Sequence, residues 1–385
     1  MKSSAILSED TLFADLHIHS CFSIATSRDM LPRNILEGCR RKGIRVVGSG
    51  DAFSSRWREM WEAEDGQDAL VVPTAEVEDR DRVHHLILLE SFDAFRDLSG
   101  LLSPSAGNLE ETGRPHLRLG GEEIARAVHA CDGLIGPAHA FTPWTSLYAS
   151  FDSPEECYGD EPIDFLELGL SADSSYGAGI PELAGIPFLS CSDAHSPDPV
   201  RLGREFTGIR SVRLTAEGVI DAVRRGKIAL NAGFFPEEGK YNRTACCRCF
   251  RQFSWEEAEG LGWRCPDDMG RIKKGVADRA ARLSSGPPGE RPPYLHLIPL
   301  GEIIRTACGA SSPGTKGCRL LYDRFIDLFG NEIRVLIDVP VDELAELDPA
   351  VAAGVSCFRS ARVRLIPGGG GKYGSFSFQG PEKQP

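Results

Sequence analysis

A succession of short apolar runs, most of them ending on a histidine or a carboxylate, constrains this chain more than any other feature. The runs are "TLFADLHIH", "GIRVVGSGD", "ALVVPTAEVE", "VHHLILLE", "GLIGPAHA", "DFLELGLS" and "IPFLSCSDAH". Helical patterns separate several of them: "LPRNILEGCRRKG", "GEEIARAVHACDG" and "TAEGVIDAVRRGK". Each carries near its end a glycine suited to a left-handed cap. Short buried strands alternating with helices predict a parallel α/β fold, and this many repeats favours a closed barrel over an open sheet.

In such a barrel the strand C-termini converge on one face, and chemistry collects there. Residues two apart on a strand point the same way. His17 and His19 therefore project together, as do Asp193 and His195. Asp51, Glu76, His85 and His139 complete a candidate set of metal-ligating, catalytic residues at the run ends. "VHHLILLE" stands apart, because its histidines open the run. Eight ligands are too many for one tetrahedral ion. They suit two or three, with Glu76 as a bridge. Imidazole mixed with carboxylate fits Zn²⁺, Mn²⁺ or Fe²⁺ better than Mg²⁺ alone. His116, His129 and His296 lack such neighbours and are expected to be ordinary histidines.

A second cluster lies further on. Cys246, Cys247, Cys249 and Cys265 are the only dense cysteines, and fifteen residues separate Cys249 from Cys265. The spacing predicts a small zinc-ribbon-like module with ligands Cys246, Cys249 and Cys265. Asp268, in "CPDD", is the expected fourth ligand, with Cys247 as the alternative. The other cysteines are scattered, as befits a reducing compartment. Charge divides the same way. Residues 1–239 carry a net −17, residues 240–291 a net +4, and the remainder balances, for −13 overall. In the basic segment, arginines and lysines, Lys273 and Lys274 among them, interleave with Phe250, Phe253, Trp255 and Trp263. That mixture suits a surface that tracks a nucleic-acid strand.

The expected organisation is a barrel over 1–238, the cysteine module over 239–282, a Pro/Gly linker over 283–293 and a C-terminal α/β region over 294–385 with two helix-like stretches. In "PGGGGKYG", Gly369, Gly370 and Lys372 are candidates for an anion contact, although the spacing is not that of a Walker A loop. No stretch approaches the ~20 apolar residues of a membrane span. The N-terminal stretch is short and acidic for a signal peptide, and the expected location is the cytoplasm.

The strings "ADLHIHS", "VGSGD", "TAEVE", "HHLILL", "GPAHA" and "CSDAH", in that order, resemble the PHP (polymerase and histidinol phosphatase) superfamily of metal-dependent phosphoesterases. The resemblance implies a distorted (β/α)7 barrel, and it favours His85 over His84 as the ligand. Ala52 stands where many PHP sites carry another histidine. Almost the whole chain resembles endonuclease Q more closely, through "DLHIHS…ATS", "AHAFTPWTSLY", "ELGLSAD", "EEGKYNRTAC", "RIKKGV", "RPPYLHLIPL" and "PGGGGKYG". Asp268 departs from that family's usual four-cysteine pattern.

This resemblance implies hydrolysis of DNA on the 5′ side of uracil, hypoxanthine, xanthine or an abasic site. It would use Zn²⁺, or Mn²⁺ or Mg²⁺, in the barrel and a structural Zn²⁺ in the module. The alternative is a small-molecule phosphoesterase such as a histidinol-phosphate phosphatase. Asp15 is expected to orient the imidazoles. Phe141, Trp144 and Tyr148, which follow His139, are expected to wall a base pocket. A sliding-clamp partner would need a terminal motif, and "FSFQGPEKQP" contains no clear one.

Overall fold

The computed structural model describes residues 11–107, 109–210 and 213–378. The end of the terminal string just quoted, residues 379–385, lies outside them. Eight strands form the ring: β1 (Thr11–Asp15), β2 (Val46–Gly48), β3 (Leu70–Val72), β4 (Thr74–Glu78), β5 (His84–Leu88), β6 (Leu134–Pro137), β7 (Leu166–Glu167) and β8 (Phe188–Leu189). β1, β2 and β3 pair in parallel. Only Pro73 separates β3 from β4, so the two act as one broken stave. β7 and β8 are parallel, and Asp164 N donates to Ile135 O across the β6–β7 seam (2.9 Å). The ring closes where Ile18 bridges Ala194, just beyond β1 and β8. The result is a distorted seven-stave α/β barrel.

The expected all-parallel order fails in one place. β4, β5 and β6 form an antiparallel meander. The connection from β4 to β5 is a tight turn in which Asp79 Oδ1 accepts from Asp81 N (2.9 Å) and Val83 N (2.7 Å). A parallel crossover needs a dozen or more residues, and this turn is far shorter. β5 therefore runs backwards, and its first residues, not its last, reach the face where the other strands end.

The three expected helices form at Pro32–Lys42, Gly121–His129 and Ala216–Arg224. Gly43 (φ +98°) and Gly226 (φ +61°) take left-handed conformations behind the first and third. Behind the second, Asp132 (φ +56°) does so in place of Gly133.

β9 (Phe206–Arg210) and β10 (Ile228–Gly233) extend the first sheet antiparallel from β1. The cysteine module holds the short pair β11 (Ala245–Cys246) and β12 (Ile272–Lys273). β13 (Tyr294–His296), beyond the Pro/Gly stretch, then joins β10 in parallel. That stretch lies along the barrel: Arg291 donates to Ile186 O and Leu183 O (2.6 Å each). The C-terminal region contributes five helices among the described residues and a hairpin, β14 (Val363–Ile366) with β15 (Ser375–Phe378). Three of those helices, Glu332–Ile337, Val341–Leu347 and Pro349–Arg359, go beyond the two that the sequence suggested. Barrel residues Val47, Trp57 and Leu230 share one core with Phe325, Leu336 and Phe358 of these helices. A buried ion pair, Lys42 Nζ to Glu332 Oε1 at 2.7 Å, ties the two parts together.

Candidate active site

The strand ends bring seven ligand candidates into one cluster, buried except for the part-exposed Asp193 and His195. His17 and His19 follow β1, and Glu76 lies on β4. His84 opens β5 and His139 follows β6. Asp193 and His195 follow β8. Asp51, His139 and Asp193 have positive φ of +46°, +32° and +47°. Such conformations are sparse for non-glycine residues and concentrate at functional sites. Here they turn the chain sharply as it leaves a strand.

Glu76 sits at the centre. Its Oε1 is 2.7 Å from His84 Nδ1 and 3.0 Å from His139 Nε2. Its Oε2 is 3.6 Å from His19 Nε2 and 3.3 Å from Arg114 Nη1. One carboxylate thus presents one oxygen to each of two groups of donors, as a bridging ligand does. Three overlapping triads result: His17, His19 and Glu76; Glu76, His84 and His139; His19, Asp193 and His195. His17 Nε2 is buried, has no hydrogen-bond partner and is 3.9 Å from Glu76 and 4.0 Å from Asp193. An orphaned imidazole nitrogen among carboxylates fits a divalent cation.

The electrostatics agree. Burial opposes charge on His17, yet the Glu167 carboxylate beside it lifts its pKa to about 9. Burial likewise opposes ionisation of Glu76, but His84 and the other imidazoles hold it well below the usual carboxylate range. Burial opposes ionisation of Asp193 too, but hydrogen bonding from His19 and the charges of His17, His19 and His139 together hold it below the usual carboxylate range. This negative pocket attracts protons as it would attract metal ions.

Several expectations require correction. His84, not His85, joins the cluster. In the β4–β5 ladder Glu78 faces His84 and Val77 faces His85. Side chains alternate across a sheet, so His85 points to the opposite face. Asp51 supports the cluster from behind. Its Oδ1 holds His19 Nδ1 (3.2 Å), and its Oδ2 accepts from Ser20 N (2.7 Å) and Ser23 Oγ (2.8 Å). Asp15 touches no imidazole. It accepts from Ser192 N, Ser192 Oγ and Gly203 N, which fixes the chain just ahead of Asp193.

The sequence reading missed Glu167, which binds His17 Nδ1 (2.8 Å) and His139 N (3.1 Å). Its place at the end of "DFLE" was the available signal. Arg114 was also missed, because its loop carries no motif. His116, His129 and His296 instead pair with Glu78, with Glu161 and Asp164, and with Asp173.

Phe141 and Tyr148 are buried against one another, with ring centroids 4.9 Å apart, so neither offers a face to a base. Trp144 remains exposed. It packs edge-on to Tyr241, and Lys273 Nζ lies 4.6 Å from its ring centroid. Gly369 and Gly370 are buried against the segment 243–246, which includes β11, and a side chain at Gly370 would collide with Cys246 O. Gly369 N donates to Lys372 O (3.0 Å). The glycines therefore admit a protein backbone, not an anion. Lys372 is exposed.

In the module, Cys246, Cys249, Cys265 and Asp268 converge, and Cys247 stays outside the group. Cys246 Sγ lies 3.3 Å from Asp268 Oδ1, and the Cys249 and Cys265 sulfurs are 3.6 Å apart. These donors fit one tetrahedral Zn²⁺. Lys274 Nζ lies 5.1 and 5.3 Å from the ring centroids of Trp255 and Trp263.

A cleft of about 810 Å³ opens where barrel, module and C-terminal region meet. Trp144, Tyr241, Tyr373, Arg201, Arg204, Lys240 and Arg305 line it. It borders the cluster, since Thr142 in its wall is 3.2 Å from His139 Nδ1, and Arg204 Nε donates to Ser192 O (3.0 Å). No helix among the described residues is long and apolar enough to cross a membrane.

A family model described as the MJ0043 C-terminal domain matches residues 299–362. The chain is 47% identical over 253 residues to the uncharacterised protein MJ0043 of Methanocaldococcus jannaschii. That match takes in 64% of this chain but only 32% of MJ0043, about a third of its length. It is 30% identical to YqxK of Bacillus subtilis, over 94% of this chain and 98% of that protein. Among solved structures it is similar to the lesion-specific endonuclease PfuEndoQ from Pyrococcus furiosus. Identity is 44% and the TM-score 0.91, with 97% of this chain and 96% of that one covered. A structure of endonuclease Q with a 27-mer duplex carrying an abasic lesion gives 43% identity, a TM-score of 0.89 and 97% coverage of both chains. With a likeness that runs through barrel, module and C-terminal region alike, the chain belongs to the endonuclease Q family.

Proposed function

We propose that this protein hydrolyses a DNA phosphodiester bond on the 5′ side of a damaged nucleotide, a deaminated base (uracil, hypoxanthine, xanthine) or an abasic site. The observation that carries the reading is the imidazole–carboxylate cluster beside a cleft lined by aromatic and cationic side chains. Membership of the endonuclease Q family supports it. His17, His19, Glu76, His84, His139, Asp193 and His195 would hold two or three divalent cations, Zn²⁺ by donor type or Mn²⁺ or Mg²⁺. Bound ions would polarise the scissile phosphate and supply a nucleophile at neutral pH. Glu167 and Asp51 fix the ring orientations of His17 and His19. The module would take a structural Zn²⁺, and Trp144, Lys273 and Lys274 would meet the strand.

Deamination of cytosine or adenine replaces an amino group by a carbonyl, so a donor becomes an acceptor. A pocket of N–H donors would accept the products and refuse the parents. An unpaired buried polar group costs about 1–3 kcal/mol, which is roughly ten- to a hundredfold in preference. Mispaired or damaged bases also flip out at lower cost.

The test is incubation of end-labelled duplexes holding one uracil, hypoxanthine or abasic site with the protein and Mn²⁺, Mg²⁺ or Zn²⁺. A single cut 5′ of the lesion is expected. Intact duplexes alongside turnover of a small phosphomonoester would overturn the proposal in favour of the small-molecule reading.

A further inference from the structure

His85 does not reach the central cluster, but it is not an isolated core histidine. Its Nε2 lies 3.2 Å from Asp79 Oδ2, and Cys157 Sγ completes a group whose donor atoms all fall within 4.8 Å of one another. His85 and Asp79 are fully buried, and Cys157 nearly so. Both His85 Nε2 and Asp79 Oδ2 lack a hydrogen-bond partner despite their closeness. Asp79 Oδ1 is occupied by the turn amides of Asp81 and Val83, so the orphan oxygen is the one that faces His85. The other ring nitrogen, His85 Nδ1, is 2.7 Å from Tyr158 Oη. Gly121 borders the group, and a side chain there would come within 2.7 Å of Cys157 Sγ and 3.2 Å of His85 Cε1.

We propose that Asp79, His85 and Cys157 form a further metal site, separate from the central cluster, that takes a structural Zn²⁺. Donors about 2.0–2.3 Å from one tetrahedral ion stand roughly 3.2–3.8 Å from each other, and the Asp79–His85 separation already falls in that interval. Two buried donors that approach so closely without hydrogen bonding behave as two ligands of one ion. The charges close as well. A carboxylate, a thiolate and a neutral imidazole leave no net charge buried once a divalent ion joins them, whereas an isolated buried carboxylate is costly. Tyr158 plays the outer-shell part that ligating histidines require, fixing the ring through its other nitrogen.

The site's placement gives it a task. Asp79 and His85 lie on the β4–β5 hairpin that carries Glu76 and His84, and Cys157 lies on the helix Pro154–Tyr158. An ion here pins that hairpin from the face opposite the central cluster.

The experiment is zinc quantification by mass spectrometry on the purified full chain, beside Cys157→Ser, His85→Gln and the double variant. Each single variant should lose one zinc per chain relative to wild type, and the double variant the same one, with Cys249→Ser losing a different ion. Unchanged zinc in folded single variants overturns the proposal and leaves an imidazolium–carboxylate pair. Cadmium-113 resonance of the substituted wild-type protein decides the matter without any variant. A one-sulfur site distinct from the three-sulfur module is expected, and its absence overturns the proposal. Neither readout depends on nuclease activity.

Discussion

The barrel centre and the cysteine module gather their candidate metal ligands in opposite ways. In the barrel, ligands up to 178 positions apart, His17 and His195, are brought together by strands whose alignment a large core enforces. Phe53, Trp57, Phe95 and Phe165 are among its fully buried side chains. In the module, four candidate ligands fall within 23 residues, and the apolar support is slight. Its core is Cys246, Phe253, Ala258, Cys265 and Ile272, with Trp263 at the edge, so two of five buried members are themselves candidate ligands. The large core holds the barrel cluster in place, whereas the module, under the proposed reading, would depend on a bound ion for its shape.

The largest expected effect tests that asymmetry. If the module holds the proposed zinc, that ion contributes about 10–16 kcal/mol, as in other small zinc folds at neutral pH, more than a core of this size can replace. Cys249→Ser should therefore unfold the module alone. Amides of β11 and β12 should exchange at unfolded rates, while those of β1 to β8 keep their protection. Simultaneous loss of protection in the barrel would show that the two regions are one cooperative unit.

The reciprocal change is Glu76→Gln. It removes the central charge that both oxygens present to the imidazoles. Under the proposed chemistry, cleavage should fall by about 10²–10³-fold or more. The thermal midpoint should move little, because the large surrounding core is left intact. A variant that unfolds as readily as Cys249→Ser would erase the distinction.

The two regions also differed in how readable they were. The module's candidate ligands are close in sequence, so spacing named Cys246, Cys249 and Cys265 and left Asp268 or Cys247 as the fourth, and the assembled group contains Asp268. In the barrel, the pairs His17/His19 and Asp193/His195 were legible from strand alternation. The choice between His84 and His85 was not, because adjacent residues face opposite ways and only the register across the Asp79–Val83 turn selects between them. The reversed direction of β5 left one trace, histidines at the start of a run instead of its end. Phe141 and Tyr148 were misassigned for a related reason. Nearness to His139 in sequence does not reveal that their rings turn inward. Glu167 and Asp51 differ from ligands only in which partner their oxygens face, and that is a property of the assembled barrel.

Glu167→Gln probes the support of the barrel centre at smaller amplitude. The amide keeps the shape but weakens the hold on His17 Nδ1 and on His139 N. Loss of such an outer partner typically costs about 10–100-fold in metal affinity. Titration of the metal-free protein with Zn²⁺ should show this for one barrel ion, with the module's ion unaffected. Equal weakening at both places would mean that the change acts through the fold as a whole.

The smallest effect concerns charge. The barrel segment carries −17 and the segment containing the module +4, so under the proposed function the salt dependence of DNA binding should reside in the basic segment. Lys273 and Lys274 stand over Trp144 and over Trp255 and Trp263. Each contact is worth about 0.5–1 kcal/mol at an exposed site, little enough that a phosphate can compete for the ammonium while the indole stays in place. Lys273→Gln and Lys274→Gln should each flatten the logarithmic salt slope by about 0.9 if each lysine meets one duplex phosphate. The loss should be equal for damaged and intact duplexes, because phosphate contacts position a strand without reading it. Trp144→Phe, which keeps the charge and reduces the stacking surface, should leave the slope unchanged and weaken binding to lesion-bearing DNA alone. A slope unaltered by both lysine variants would place them in the fold of the module and not on its ligand, and would move the search for phosphate contacts to Arg201, Lys240 and Arg305 around the cleft.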